Sequence, residues 1–428
     1  MKTNNLLQRS LMALVALLGS ITASAAESEY DFTATTNQGQ TFYYKILTDT
    51  DAPDRKIVAV TNGQHNDGQF SHFDISPYDD YGDIIIPSTV THNGVTYTVI
   101  ALRNTFAKAY HVTSITLPNT IESISQWTFT GCQALQSITI PENVTNIGPE
   151  AISDWNGVDG YQTQYVTDKP LTNIRTLYYN ARQVPYFIEG AFHLGSVGGE
   201  CQVVIGETVE SIPRYFLYKN RVTSVVMSSS VTSFGEYAFC DMNSLRTITI
   251  PKDVTSIGDY AFGHDPYAGS NPYSGSPYVC GITTVISEME TPPTINATVF
   301  HNPENMTLYI PAGTLNNYAQ ADYWKNFGHI IENKPIDFED PAVKAICVEK
   351  WDTNGNNELD LTEAQSVTDL GAAFTGKSQI TKFNELQYFS LLTKIPDDAF
   401  LGCSSLTEIT LPKEVTIIGD YAFSSAAA

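Results

Sequence analysis

Twelve residues, Asp352 to Glu363, carry oxygen donors at a spacing that suits one hard cation. Side-chain oxygens stand at Asp352, Asn354, Asn356, Asp360 and Glu363, and the main-chain carbonyl of Glu358 falls between them. A divalent ion such as calcium takes six to eight oxygens, and this spacing wraps them around one point. Glu363 would close the shell with both carboxylate oxygens, and Asp360 could act through a water. Leu359 occupies the eighth position, where an apolar anchor is expected. Only Asp352, Asp360 and Glu363 bring ligand carboxylates, which implies an affinity on the order of 10⁻⁴–10⁻³ M, as in extracellular modules.

Such a loop needs a helix on each side. Asp340-Pro341 reads as an N-cap followed by proline at the first helical position. Ala342, Val343, Ile346, Cys347 and Trp351 then recur at helical spacing, and Thr362 to Val367 forms a short exit helix with Gly371 beyond it. Residues 340–373 are therefore expected to form an EF-hand-like helix–loop–helix, a joint more than a sensor because it stands alone. One position departs from the pattern. Asn357 stands where glycine is wanted for the sharp turn, and Asn is the next best residue for positive φ. An Asn/Asp-rich turn without metal is the competing reading.

No other cluster carries comparable chemistry. His65 to Asp74, with Asp79 and Asp80, is acidic and bears two histidines, but matches no ligand spacing. His92, His111, His193, His264, His301 and His329 are scattered, and no G-x-S-x-G, H-E-x-x-H or phosphate-binding glycine loop occurs. The chain is expected not to be an enzyme. Its formal charge of −23 over 428 residues argues against nucleic acid and anionic membrane as partners, since both call for clustered Lys and Arg. Hydrophobic content of 42% against 16% charged fits a folded protein.

The first 25 residues read as a signal peptide. Lys2 and Arg9 form a basic region, Leu11 to Gly19 an apolar stretch too short to span a bilayer, and Ala23-Ser24-Ala25 a small-residue cleavage site. The protein is expected to be exported, to the surface or the medium, with the periplasm open and no membrane insertion of the mature chain. Of six cysteines, Cys132, Cys240 and Cys403 sit beside a recurring aromatic position, as small core residues would; the pairing of Cys201 and Cys280 stays open.

The rest of the chain is organised by a phrase with a 23-residue period. It runs apolar-x-apolar-Pro, Val-Thr-x-Ile-Gly, Ala-Phe, then Leu. Ile115, Ile138, Ile248 and Ile409 open copies, and the pairs Phe106/Phe129, Phe239/Phe262 and Phe400/Phe423 keep the 23-residue step. A fixed period of this size marks a solenoid, in which one repeat cannot bury its own apolar face and stacking supplies the core. Strands are expected near 115, 138, 174, 203, 225, 248, 285 and 308, each with alternate residues inward and the intervening Thr outward. Residues 26–100 hold strand-like runs and the hairpin signal Asn93-Gly94, and are expected to form a β cap. The first array spans 101–332 with a helical closing segment around Leu315, Tyr318, Trp324 and Phe327; 333–339 is a linker; a second array runs from 374 to 428 and stops mid-repeat. Two insertions, of 13 and 14 residues, follow Ile152 and Phe262. Trp155, Tyr161 and Tyr165 in the first and Tyr267, Tyr273 and Tyr278 in the second are candidate ligand-binding residues, because aromatic, Gly- and Ser-rich loops resemble binding loops in composition.

Ser137-Ile138-Thr139-Ile140-Pro141-Glu142-Asn143-Val144-Thr145-Asn146-Ile147-Gly148, and Leu245 through Phe262, resemble the BspA-like, or Treponema-type, leucine-rich repeats of bacterial surface proteins. The resemblance covers most of 101–311 and about 378–423. It implies a right-handed superhelix of short parallel strands with an irregular or 3-10 convex side, and an exported protein that binds extracellular protein or glycan in adhesion. A structural spacer is the alternative, and a carbohydrate-active or proteolytic enzyme a weaker one. The matched positions are core positions, so the resemblance carries over no ligand-binding residue.

Overall fold

The structure, a computed structural model, describes residues 30–63, 76–153, 174–184, 186–187, 191–192, 194, 200–267 and 280–426. The chain divides into two compact units: residues 1–283 with 293–302, and residues 284–292 with 303–428.

In the first unit, Phe32–Thr35 and Thr41–Leu47 form an antiparallel hairpin, and Thr41–Leu47 also pairs antiparallel with Ile57–Thr61. Thr89–His92 and Val95–Arg103 form a second hairpin through Asn93 and Gly94, both at positive φ as a tight hairpin turn requires. Parallel stacking begins inside this segment. Ile57–Thr61 pairs parallel with Val95–Arg103, and Asp83–Ile85 with Ser114–Thr116. Val95–Arg103 runs through residue 100 and pairs parallel with Ser123–Ile124.

From there each coil is held to the next by up to three hydrogen-bonded rungs. The first is the strand of the apolar-x-apolar phrase. Ser137–Ile140, Thr176–Tyr179, Gln202–Ile205 and Ser224–Val226 form one parallel sheet in register. The strand expected near 174 starts at Thr176. The second rung is a two-residue strand from the Thr-x-Ile part, as in Ser211–Ile212, Ser233–Phe234 and Ser256–Ile257. The third is the turn that carries the Phe slot: Phe129 N donates to Ala151 O at 2.8 Å and Phe239 N to Ala261 O at 2.7 Å. The backbone of each turn is thereby satisfied by its neighbour rather than by water.

The core is a stack of phenylalanines. Phe106 on Phe129 (centroids 5.8 Å, planes 16° apart), Phe239 on Phe262 (5.7 Å, 13°) and Phe262 on Phe300 (5.5 Å, 14°) are stacked, because the repeat places the same ring on successive coils, at a 23-residue step in the first two pairs and across a longer interval in the third. The close spacing of coils also explains the Ile-Gly pair. A Cβ added at Gly235 or Gly258 would lie 2.5 Å from the backbone nitrogen of Arg214 or Glu236 on the coil before.

In the second unit Thr284–Ser287, Thr307–Pro311 and His329–Asn333 are parallel. Between the last two lie helix α1, Leu315–Gln320, and a 3-10 turn, Trp324–Asn326. Tyr318 and Trp324 are fully buried with rings edge to face at 5.5 Å, so the segment expected to close the array does pack as a core element, and a further strand follows it. Helix α2 is Pro341–Trp351 and helix α3 is Leu361–Ser366. Val343, Ile346 and Cys347 of α2, Leu359 of the loop and Ala364 of α3 share one apolar cluster with Phe374, Phe383, Phe389 and Phe400. The helix–loop–helix segment and the second array are thus one core. The 333–339 stretch is drawn in as well: Ile336 is buried and its N–H donates to Leu359 O at 2.8 Å.

Candidate functional site

Helices flank the 352–363 loop on both sides. Asp340 caps α2, its side chain accepting from Ala342 N at 2.8 Å. The same carboxylate accepts from Thr381 N at 2.6 Å and Thr381 Oγ1 at 2.8 Å, which ties the helix start to the second array. Burial raises its carboxyl, but these hydrogen bonds outweigh it and hold the group below the usual aspartate range. Asp352 Oδ1 accepts from Gly355 N and Asn356 N, and Oδ2 from Asn357 N at 2.8 Å, so the loop winds around this carboxylate. Asn357 sits at φ +62°, the turn conformation its position demands. Asn356 Oδ1 accepts from Glu358 N at 2.8 Å. The Glu358 side chain forms an ion pair with Lys344 at 2.6 Å.

Asp360 caps α3. It accepts from Glu363 N at 2.9 Å and Thr362 Oγ1 at 2.7 Å, while Glu363 Oε2 accepts from Asp360 N at 3.0 Å, a reciprocal capping box. Glu363 Oε1 accepts from Thr353 N at 2.8 Å and Asn354 N at 3.2 Å. The closing carboxylate therefore spans the loop from its end back to its start. Burial pushes the Glu363 carboxyl up and the neighbouring Asp360 charge adds to it, against the N–H groups that hold it down. The loop brings the oxygens of Asp352, Asn354, Asn356, Asp360 and Glu363 onto one turn between two helices. The carboxylates are satisfied by loop N–H groups, and among the described residues no three His, Cys, Asp or Glu side chains are gathered into a metal-binding group.

Trp155, Tyr161, Tyr165, Tyr273 and Tyr278 lie outside the described residues, as does His65 to Asp74. Tyr267 is described: it is 90% exposed, and its N–H donates to Asp265 Oδ1 at 2.9 Å. Asp79 accepts from both the backbone and the ring Nδ1 of His111, at 2.7 and 2.8 Å. Cys132, Cys240, Cys347 and Cys403 are buried free thiols and Cys280 is half-buried. Burial pushes Cys132 up to about 12 and Cys280 to about 11.

Three further features go beyond these candidates. On the parallel sheet, the outward slot that holds Thr139 holds Tyr178, Val204 and Val226 on the next three strands, paired in register. Tyr178 is 43% and Val226 47% exposed. Only Val226 stands a 23-residue step from a Thr of the phrase, Thr249; for Tyr178 and Val204 the interval from Thr139 is broken by insertions, and the strand register alone puts them in the same slot. On the turn side, half-buried Tyr215, Tyr237 and Tyr260 stack at 5.0 and 4.9 Å, each at positive φ, with Arg214 over the Tyr215 ring at 4.6 Å. At the Phe262 coil, buried Asp241 faces His264. Among the described residues no helix is long and apolar enough to cross a membrane.

The model of the BspA type leucine rich repeat region matches in six copies, over residues 101–160, 200–267 and 366–428. Among solved structures, the chain is similar to a leucine rich cell surface protein from Faecalibacterium prausnitzii (20% identity, 93% of each chain covered, TM-score 0.33). It is also similar to a leucine-rich repeat protein from Bacteroides ovatus (15%, 93% of each chain, TM-score 0.26). A third is the pneumococcal vaccine antigen PcpA (14%, 72% of this chain and all of that one, TM-score 0.22). No curated protein matched. The three matched stretches, about 45% of the chain, carry repeats of the BspA leucine-rich type, and their short parallel strands follow one another in series.

Proposed function

We propose that the protein is an exported, non-enzymatic leucine-rich repeat protein that binds extracellular protein or glycan ligands. The observation that carries this reading is the outward row Tyr178, Val204 and Val226 on a regular parallel sheet. Inward positions are set by the core, but an outward Tyr and Val gain nothing from it, and exposed Tyr178 and Val226 on either side of half-buried Val204 form an apolar row that suits a partner's surface. The array is read as a right-handed superhelix, the hand parallel crossovers take almost always, with the N-terminal β segment as its cap. The test is a screen of the mature chain against matrix proteins and glycans, followed by the double variant Tyr178→Ser/Val226→Ser. Folding should be unchanged and binding should fall at least tenfold; full binding by the variant would remove this face from the proposal.

The 352–363 loop is proposed to bind calcium through Asp352, Asn354, Asn356, the Glu358 carbonyl, Asp360 and Glu363. What supports it is the winding of the loop around Asp352, with Asn357 at positive φ and Glu363 reaching back across it. Titration calorimetry should show uptake with a dissociation constant on the order of 10⁻⁴–10⁻³ M, abolished by Glu363→Ala. No uptake at millimolar calcium, or uptake that survives the substitution, sinks the assignment.

A further inference from the structure

Three consecutive coils of the first unit bring Asp241, His264 and His301 together, each just beyond the stacked rings Phe239, Phe262 and Phe300. The Phe262 and Phe300 backbones are bridged in parallel, which carries the two histidines side by side. Their ring centroids are 5.1 Å apart, with planes at 60°. His264 Nδ1 lies 2.5 Å from Asp241 Oδ1. Asp241 is 1% exposed and held at φ +58°, and its second oxygen, Oδ2, is buried with no hydrogen-bond partner. The His264 side chain keeps 27% of its surface in solvent.

We propose that His264 and His301 bind a divalent transition-metal ion, with Asp241 as the carboxylate that orients His264. A carboxylate accepting from one ring nitrogen fixes the proton there and leaves the Nε2 lone pair of His264 for a metal; metal-ligating histidines are held this way as a rule. The ring separation suits the task. With a metal–nitrogen bond of about 2.0–2.1 Å and a ring centre about 1.1 Å beyond the nitrogen, two imidazoles at the tetrahedral angle have centroids about 5.2 Å apart. His301 Nε2 is 3.0 Å from the exposed Asn302 amide, a contact that an ion at this nitrogen would replace. Imidazole nitrogens select zinc, nickel or copper(II) over calcium and magnesium, so this site and the oxygen-lined 352–363 loop differ in ligand chemistry. Since no third His, Cys, Asp or Glu completes a group here among the described residues, water fills the remaining positions. The strong net negative charge of −23 attracts any cation to the surface, but only a paired-histidine geometry distinguishes metals by ligand type.

The probe is copper(II) alone, followed by electron paramagnetic resonance of the mature protein at one equivalent, with zinc affinity measured by calorimetry. Coupling to two imidazole nitrogens is expected, unaffected by millimolar calcium. His264→Gln and His301→Gln should each weaken zinc binding more than tenfold and leave one coupled nitrogen; both side chains reach solvent, so the fold should hold, as circular dichroism would verify. Asp241→Asn should weaken binding 10–100-fold while both nitrogens still couple. Zinc affinity and a two-nitrogen spectrum that persist in the double His264→Gln/His301→Gln variant would overturn the proposal, as would a wild-type spectrum with one nitrogen or none.

Discussion

Replacing Phe239 by alanine tests the stacked core directly. The ring is fully buried and meets three others: Phe216 and Phe234 at 6.0 Å and Phe262 at 5.7 Å. Removing it forfeits about 1.5–3 kcal/mol of burial and about 0.5–1.5 kcal/mol for each aromatic pair. Collapse cannot refill the space, because the turn carrying the ring is fixed on both sides. Leu217 N donates to Ala238 O and Phe239 N to Ala261 O, each at 2.7 Å. The expected cost is therefore near the top of the ~3–5 kcal/mol range for a buried Phe→Ala change. A solenoid is held by nearest-neighbour contacts, so the loss should stay near the site. Hydrogen exchange reads it residue by residue: at tenfold per ~1.4 kcal/mol, the Leu217, Tyr237 and Phe239 amides should exchange roughly a thousandfold faster. The Phe400 amide, bonded to Ala422 O in the other unit, should not change. A cost under ~2 kcal/mol, or equal acceleration at Phe400, would refute the idea that the rings form a rigid, locally coupled stack.

Gly258→Ala should destabilise by ~1–3 kcal/mol through forced separation of two coils, while the same change at Gly39 meets open space and acts only through its positive φ; denaturant midpoints compare the two. Asp340→Ala should cost ~0.5–2 kcal/mol for the lost cap alone, measured by urea unfolding of the second unit's signal. Because the folded Asp340 carboxyl lies below its unfolded value of about 3.9, its contribution is present at neutral pH and lost as pH falls from about 4 through the folded pKa. The acid limb of the stability profile should accordingly flatten in the variant, and an unchanged profile counts against the assigned hydrogen bonds. Cys132, Cys240, Cys347 and Cys403 should resist alkylation at pH 8 in the native protein and react after unfolding, as read by mass spectrometry; rapid native labelling would contradict their burial.

The repeat was legible because every inward slot answers to the same constraint. Ile138, Phe129 and Gly258 each fill a place that the neighbouring coil shapes, so their recurrence at 23 residues announced strand, ring stack and close approach. The helices on either side of the 352–363 loop were legible from local caps, Asp340-Pro341 for the first and Asp360 with Glu363 for the second. Outward slots answer to no such constraint. Tyr178, Val204 and Val226 stand where Thr was expected, and only the register shows that they are adjacent. Asp241, His264 and His301 are separated by 23 and 37 residues, and the second interval includes an insertion that breaks the period; the stacking of Phe239, Phe262 and Phe300 is what reunites them.

The shared core of the helix–loop–helix and the second array limits what calcium can do there. Trp351 at the end of α2 packs on Phe374 at 6.1 Å and Phe389 at 5.6 Å, and Asp340 at its start holds Thr381. Both ends of α2 are therefore anchored in the array, on either side of its buried Val343, Ile346 and Cys347. An ion with the proposed affinity, present at about 1 mM, adds only RT ln(1 + [L]/Kd), or ~0.4–1.4 kcal/mol. One buried phenylalanine contributes more. Calcium at this loop would stiffen the chain between Asp352 and Glu363 and adjust the stability of the array beside it, while the fold of that array rests on its own rings.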